Sequence, residues 1–96
     1  MGLFDKKEPR SVNLKELLTP EEVHLLGGEL IKASHKLPTE IGDTYFRLAE
    51  SIMKGEDNNS AMILKLSTAA FRYNKLNREA AEGSPELLKK LKEVLK

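Results

Sequence analysis

The sequence predicts an all-α fold, a compact antiparallel bundle in which a short leading helix precedes four main helices. Apolar residues recur at the helical period of 3.6 in each main segment, and no segment shows the alternation that is typical of a strand. A capping residue followed by proline opens two segments, at Thr19-Pro20 and at Ser84-Pro85. We predict helices at about 14–18, 20–37, 39–54, 59–82 and 85–95.

Length and composition are those of one globular domain. The 96 residues are 40% hydrophobic and 32% charged, and the aromatic share of 5% leaves a core of Leu, Ile, Ala and Met, which suits helix packing. Cysteine is absent, so we expect a cytoplasmic protein without disulfides. No apolar run approaches the roughly 20 residues of a membrane span. We expect residues 1–11 to form a flexible charged tail and residues 12–96 a single helical domain.

The first two helix starts carry capping signals. Asn13, with Glu16 three residues later, is typical of the start of a short helix. Thr19, Pro20 and Glu22 combine a capping box with a proline at the first helical position, which makes this the clearest helix start in the chain.

The helix at 20–37 has two distinct faces. Its apolar face consists of Val23, Leu26, Leu30, Ala33 and Leu37, and its polar face of Glu22, Glu29, Lys32 and Lys36. Leu25 lies among the polar residues and is therefore a candidate for contact with a partner. Gly27 and Gly28 together lower the intrinsic helix stability by about 1–2 kcal/mol. Close packing of another helix explains Gly27, whereas packing and partner docking both stay open for Gly28.

Stop signals divide the rest of the chain. Pro38 separates the second and third helices, Gly55 is typical of a left-handed cap after the third, and Gly83 is expected to end the fourth. The helix at 59–82 is apolar around most of its girth, so we expect it to be central, with neighbours on two or more sides. Loops of two to five residues would join the helices and favour antiparallel neighbours.

The segment 41–50, IGDTYFRLAE, resembles the first helix of a tetratricopeptide-type repeat. In that family small and aromatic residues three apart, here Gly42 and Tyr45, let paired helices nest closely. The resemblance covers about ten residues. The glycine between the paired helices is expected about seven residues after Gly42, whereas Gly55 follows at thirteen, and the sequence has no second copy of the unit.

No constellation of side chains predicts catalysis or metal binding. His24 and His35 lie eleven residues apart on one predicted helix, about 16 Å, which is too far to share a metal ion. Glu21 and Glu22 are adjacent carboxylates in a first helical turn, where acidic residues are favoured anyway. We therefore expect no enzyme, no cofactor and no metal site.

The predicted function is that of a small non-catalytic protein–protein interaction module. It would act as an adaptor, regulator or inhibitor of a larger protein through an apolar helix face, and so short and charged a chain would suit a bacterial or phage regulator. The candidate partner-binding residues are Leu25, Gly28, Leu64 and Phe71. Leu64 and Phe71 project away from the other apolar side of their helix, so an exposed apolar patch is expected if the bundle covers only one side.

Two alternatives stay open. Lys65, Arg72 and Lys75 form a basic stripe on the fourth main helix and are candidate contacts for an anionic partner. A nucleic-acid-binding accessory protein is one alternative, although the net charge of +1 disfavours a duplex-DNA binder. The other alternative is a structural subunit of a self-assembling complex, and hence a homo-oligomer.

Overall fold

The computed structural model describes residues 10–95 and confirms an all-α helical bundle. Its helices are α1 (Leu14–Leu17), α2 (Pro20–Lys36), α3 (Thr39–Lys54), α4 (Ser60–Leu76) and α5 (Ser84–Val94), and two short strands are β1 (Ser11–Val12) and β2 (Asn58–Asn59). Most of the tail expected at 1–11 lies outside the described residues.

Helix α2 is the one against which the other helices pack. Helix α3 returns along it after the short Leu37-Pro38 connection, while α4 and α5 pack elsewhere on its surface. Helix α5 runs antiparallel to α2, because hydrogen bonds join Ser84 to Glu29 and Lys90 to Glu22. Helix α4 does have neighbours on two sides, α2 and α5, but the central position that we predicted for it belongs to α2.

The core follows the apolar periodicity of the sequence. The predicted inner face of α2 is confirmed at four of its positions, which are buried together with residues from every other helix. The largest fully buried apolar side chains are Leu14, Leu26, Leu30, Ile52, Ile63 and Leu91.

The predicted caps of the first helices are present. The Thr19 hydroxyl accepts a hydrogen bond from the Glu22 backbone N–H (3.1 Å), and the Glu22 carboxylate accepts one from the Thr19 N–H (2.8 Å), which completes the capping box. The Asn13 side chain accepts from the Lys15 N–H at 3.0 Å. Gly55 ends α3 with φ 81°, a left-handed conformation that glycine adopts readily.

Helix α4 ends at Leu76, six residues before the predicted position. The Arg78 N–H donates to the Lys75 carbonyl (3.0 Å) and the Glu79 N–H to the Asn74 carbonyl (2.7 Å), which is the hydrogen-bond pattern of a Schellman motif. Arg78 occupies the left-handed position of this motif with φ 58°. Glycine is the usual residue there, so the sequence pointed instead to Gly83, which in the structure precedes α5 as its N-cap.

A two-residue antiparallel strand pair is the one exception to the helical pattern in the described residues. Ser11 pairs with Asn59 and Val12 with Asn58, and the Ser60 N–H donates to the Arg10 carbonyl at 2.8 Å. Strands of two residues are too short to produce a recognisable alternation, which explains why the sequence predicted none.

Candidate functional site

The predicted partner-binding residues differ in their exposure. Leu25 and Leu64 are half-buried and pack against the core. Gly28 is half-buried, and a Cβ built on it would meet nothing within 4 Å, so the backbone there is open. Phe71 is only 5% exposed and belongs to the core, so the condition for an exposed apolar patch at this residue, a bundle that leaves one apolar side of α4 uncovered, is not met. Helix α4 contacts both α2 and α5, which fits the burial of Phe71.

The basic stripe is exposed, and the structure joins part of it to another helix. Lys65, Arg72 and Lys75 are all exposed on α4. Arg72 and Lys75 border a groove between α4 and α5 whose other side carries Lys92, whereas Lys65 does not line it.

This α4–α5 groove has a volume of about 410 Å³. Its walls are mainly apolar, and none of the described residues that line it is acidic. The lining residues are Thr68, Phe71, Arg72 and Lys75 of α4, Ala80 and Ala81 of the connecting segment, and Ser84, Pro85, Leu88 and Lys92 of α5. The site is therefore an apolar groove with a cationic rim.

Beneath the groove lies a buried glutamate. Glu29 is 1% exposed, although the sequence placed it on the polar face of its helix. Its Oε1 accepts from Asn74 Nδ2 (2.7 Å), and its Oε2 accepts from the Ala81 N–H and the Ser84 hydroxyl, both at 2.7 Å. Asn74 Nδ2 also donates to the Glu29 carbonyl at 2.9 Å. Sequence periodicity missed this burial because it assumes one covered face, whereas α2 is covered on several sides.

The Glu29 hydrogen bonds reach two residues of the groove wall. Ala81 and Ser84 line the groove and are both held by the same carboxyl oxygen. Lys32 reinforces the connecting segment by donating from Nζ to the Glu79 carbonyl (2.9 Å), and Lys36 forms an ion pair with the Glu79 carboxylate (3.2 Å). The segment 77–83 is therefore tied to α2 at several points.

A second polar contact ties α5 to the start of α2. Lys90 Nζ donates to both carboxylate oxygens of Glu22, at 2.7 and 3.0 Å. These hydrogen bonds, followed by the one from the Thr19 N–H, lower the pKa of Glu22 below its usual range.

Helix α4 also carries buried polar side chains, and not all of their polar atoms have hydrogen-bond partners. Ser60, Ser67 and Asn74 are buried at seven-residue intervals along the helix. The Ser67 hydroxyl and Asn74 Oδ1 have no hydrogen-bond partner among the described residues. Buried polar atoms without a hydrogen-bond partner lower stability.

The histidines do not form a common site. His24 and His35 are both exposed, near different ends of α2. Within residues 10–95, no three His, Cys, Asp or Glu side chains are grouped so that they could hold a metal ion. No helix in the same part of the chain is long and apolar enough to cross a bilayer.

The sequence missed several residues of the groove. Ala80 and Ala81 were assigned to a continuous helix, and Leu88 was not named as a candidate partner contact. Lys92 and Arg72 are twenty residues apart in the chain, and the sequence did not predict that they border one groove. Only the pairing of α4 with α5 brings them to one site.

A comparison of the chain with protein-family models, with curated proteins and with solved structures finds no match. The resemblance of 41–50 to a tetratricopeptide-type helix therefore gains no support. The fold and the site place this protein in the class of helical bundles with an apolar groove that has a cationic rim. Its function is inferred from the geometry of that groove.

Proposed function

We propose that this chain is a small non-catalytic interaction protein, an adaptor, regulator or inhibitor, that binds another protein through the α4–α5 groove. The observation that carries the proposal is the composition of the groove, an apolar surface with three exposed cations at its rim. Apolar grooves between helices are a recurrent docking surface for segments of partner proteins. The groove takes the place of the exposed Phe71 patch, since Phe71 is buried.

The polar groups beneath the groove support a binding role over a catalytic one. A serine hydroxyl bonded to a carboxyl, as Ser84 is to Glu29, is an arrangement that can activate a nucleophile. Ser84 is only 3% exposed, however, and Glu29 is 1% exposed, so a substrate has almost no access to either. Both side chains are engaged in fixing the connecting segment.

The test is an affinity capture with the tagged full chain from native cell lysate, with captured molecules identified by mass spectrometry. Ala80→Glu places a bulky charge at the exposed wall of the groove, and Ala61→Glu makes the same change at an exposed position of α4 that does not line it. We expect proteins that both wild type and Ala61→Glu retain, and that Ala80→Glu loses. A capture pattern that Ala80→Glu leaves unchanged contradicts the proposal.

The same capture separates the alternatives. Nucleic acid that is retained at low salt and released at high salt would favour the basic stripe as the functional surface. Capture of this chain alone would favour a self-assembling structural subunit. Leu76, which is 78% exposed at the end of α4, would then be the first apolar side chain to substitute.

A further inference from the structure

We infer that the occupant of the α4–α5 groove is an acidic amphipathic α-helix of the partner protein. This inference rests on the proposed function and adds the chemistry of the bound segment. It is derived from three properties of the groove: its length, the charge at its rim and the side chains that line it.

The length of the groove matches about two turns of helix. Its lining extends from Thr68 to Lys75 on α4 and from Ser84 to Lys92 on α5. Seven to eight residues at a rise of 1.5 Å make about 10–12 Å. Apolar side chains at positions i, i+4 and i+7 of a bound helix span the same distance, and this is the usual spacing of anchors in a helix-in-groove complex.

The rim carries positive charge on both sides. Arg72 and Lys75 project from α4 and Lys92 from α5, and all three are exposed. None of the three forms an ion pair within the described residues, whereas Arg47 and Lys90 are paired with carboxylates. A helix with acidic residues on both flanks of its apolar stripe would supply partners for all three cations.

The lining favours a helix over a nucleic acid. Single-stranded nucleic acids bind through exposed aromatic rings on which bases stack. The groove contains one aromatic residue, Phe71, which is 5% exposed. Its remaining apolar walls are aliphatic, including Ala80, Pro85 and Leu88, and suit side chains such as leucine.

The experiment is a selection of displayed random peptides, about 16 residues long so that a helix of several turns can form, against the immobilised full chain. Selected peptides are then synthesised, and their affinities are measured by fluorescence anisotropy. We expect enrichment of Asp and Glu beside apolar residues spaced three and four apart. We also expect that Ala80→Glu abolishes binding and that Ala61→Glu does not.

Charge variants test the rim directly. Lys92→Glu is expected to weaken binding of the selected acidic peptides about fivefold, the size of a strong exposed ion pair. Lys89→Glu makes the same change on the exposed face of α5 outside the groove. It is expected to weaken peptide binding by less than about twofold, since its charge lies farther from the bound peptide. Replacing the peptide's Glu by Lys is expected to restore affinity for the Lys92→Glu variant.

The outcomes separate this inference from the proposed function. One outcome overturns only the inference: the selected peptides fail to bind the Ala80→Glu variant but show no acidic enrichment and bind the Lys92→Glu variant normally. The groove then remains the docking site, and its occupant is not an acidic helix. Peptides that bind the Ala80→Glu variant unchanged overturn both. Failure to enrich any peptide that depends on the groove also overturns the inference, since short amphipathic helices are abundant in such a library.

Discussion

Two sides of helix α2 are held by different forces. On the α3 side the backbones approach closely at Gly42, where a Cβ would collide with the Ser34 carbonyl oxygen. At Gly27 a Cβ would collide with the Met53 side chain. On the α4–α5 side the connection is polar, and a single carboxyl, that of Glu29, accepts three side-chain and backbone donors.

The difference separates stability from the construction of the site. Close packing between α2 and α3 stabilises the bundle but borders no part of the groove. The Glu29 hydrogen bonds hold Ala81, in the irregular segment before α5, and Ser84, the first residue of α5, and both residues line the groove. Directional bonds can position such a segment, whereas apolar packing alone is non-directional.

The largest expected effect comes from removing the polar centre. Glu29→Ala leaves the donors on Ala81 and Ser84 without their carboxyl acceptor and takes from Asn74 Nδ2 one of its two acceptors, so it is expected to lower the free energy of unfolding by about 4 kcal/mol. Urea denaturation measures the change. Glu29→Gln keeps one acceptor oxygen and is expected to cost about half as much. A loss below about 1 kcal/mol for the alanine variant would show that the cluster does not hold the segment.

The second substitution disrupts the close packing of α2 against α3. Gly42→Ala forces a methyl group against the Ser34 backbone, which cannot rotate away, and is expected to lower the free energy of unfolding by about 2 kcal/mol. Gly28→Ala is the matched control. It has open space within 4 Å and is expected to raise stability by up to about 1 kcal/mol through helix propensity. Equal effects from the two variants would contradict the close approach at Gly42.

A smaller effect is expected where α4 ends. Arg78 holds a left-handed conformation, so Arg78→Gly removes its strain and is expected to raise the free energy of unfolding by about 0.5–1 kcal/mol. Asn77→Gly changes the neighbouring residue, whose φ is −96°, and is expected to give no gain. Thermal unfolding compares the two. A gain at Asn77 instead of Arg78 would place the helix end elsewhere.

The smallest expected effect is the dependence on pH at the Glu22–Lys90 contact, because the pair is partly exposed. The pKa of Glu22 is lowered in the folded state, so its contribution to stability is present above the ordinary glutamate pKa and is lost as the pH falls through the lowered value. Lys90→Met is therefore expected to destabilise at neutral pH and to approach wild type in acid. Lys89→Met, at an exposed lysine outside this pair, is expected to show no such trend. Urea midpoints at neutral and acidic pH measure the stability of each variant relative to the wild type. If the difference for Lys90→Met does not vary with pH, the Glu22–Lys90 contact does not make stability depend on pH.

The part of the fold that the sequence predicted rests on local interactions. The Thr19 capping box and the Gly55 cap depend on a few neighbouring residues, so both can be recognised from the sequence. The end of α4 was misplaced because Arg78 takes a position where glycine is usual, and Gly83 offered a more conventional stop. The connecting segment thus became a predicted extension of the helix.

The candidate site was predicted only in part. Arg72 and Lys75 were recognised as a basic stripe because they lie three residues apart on one helix face. The sequence left open whether Phe71 is exposed, and the residue is buried. Glu29 was placed on a polar face and is also buried. Helical periodicity orders residues around an axis but does not say which sectors neighbouring helices cover.

The sequence by itself determined the all-α class, the starts of the main helices and the inner face of α2, because periodicity and capping act over a few residues. Tertiary structure alone decided that α2 is central, that Glu29 is enclosed by the segment after α4, and that Lys92 lies across a groove from Arg72. These features depend on contacts between residues far apart in the chain. Their energies arise from burial and hydrogen bonds that exist only once the helices have packed.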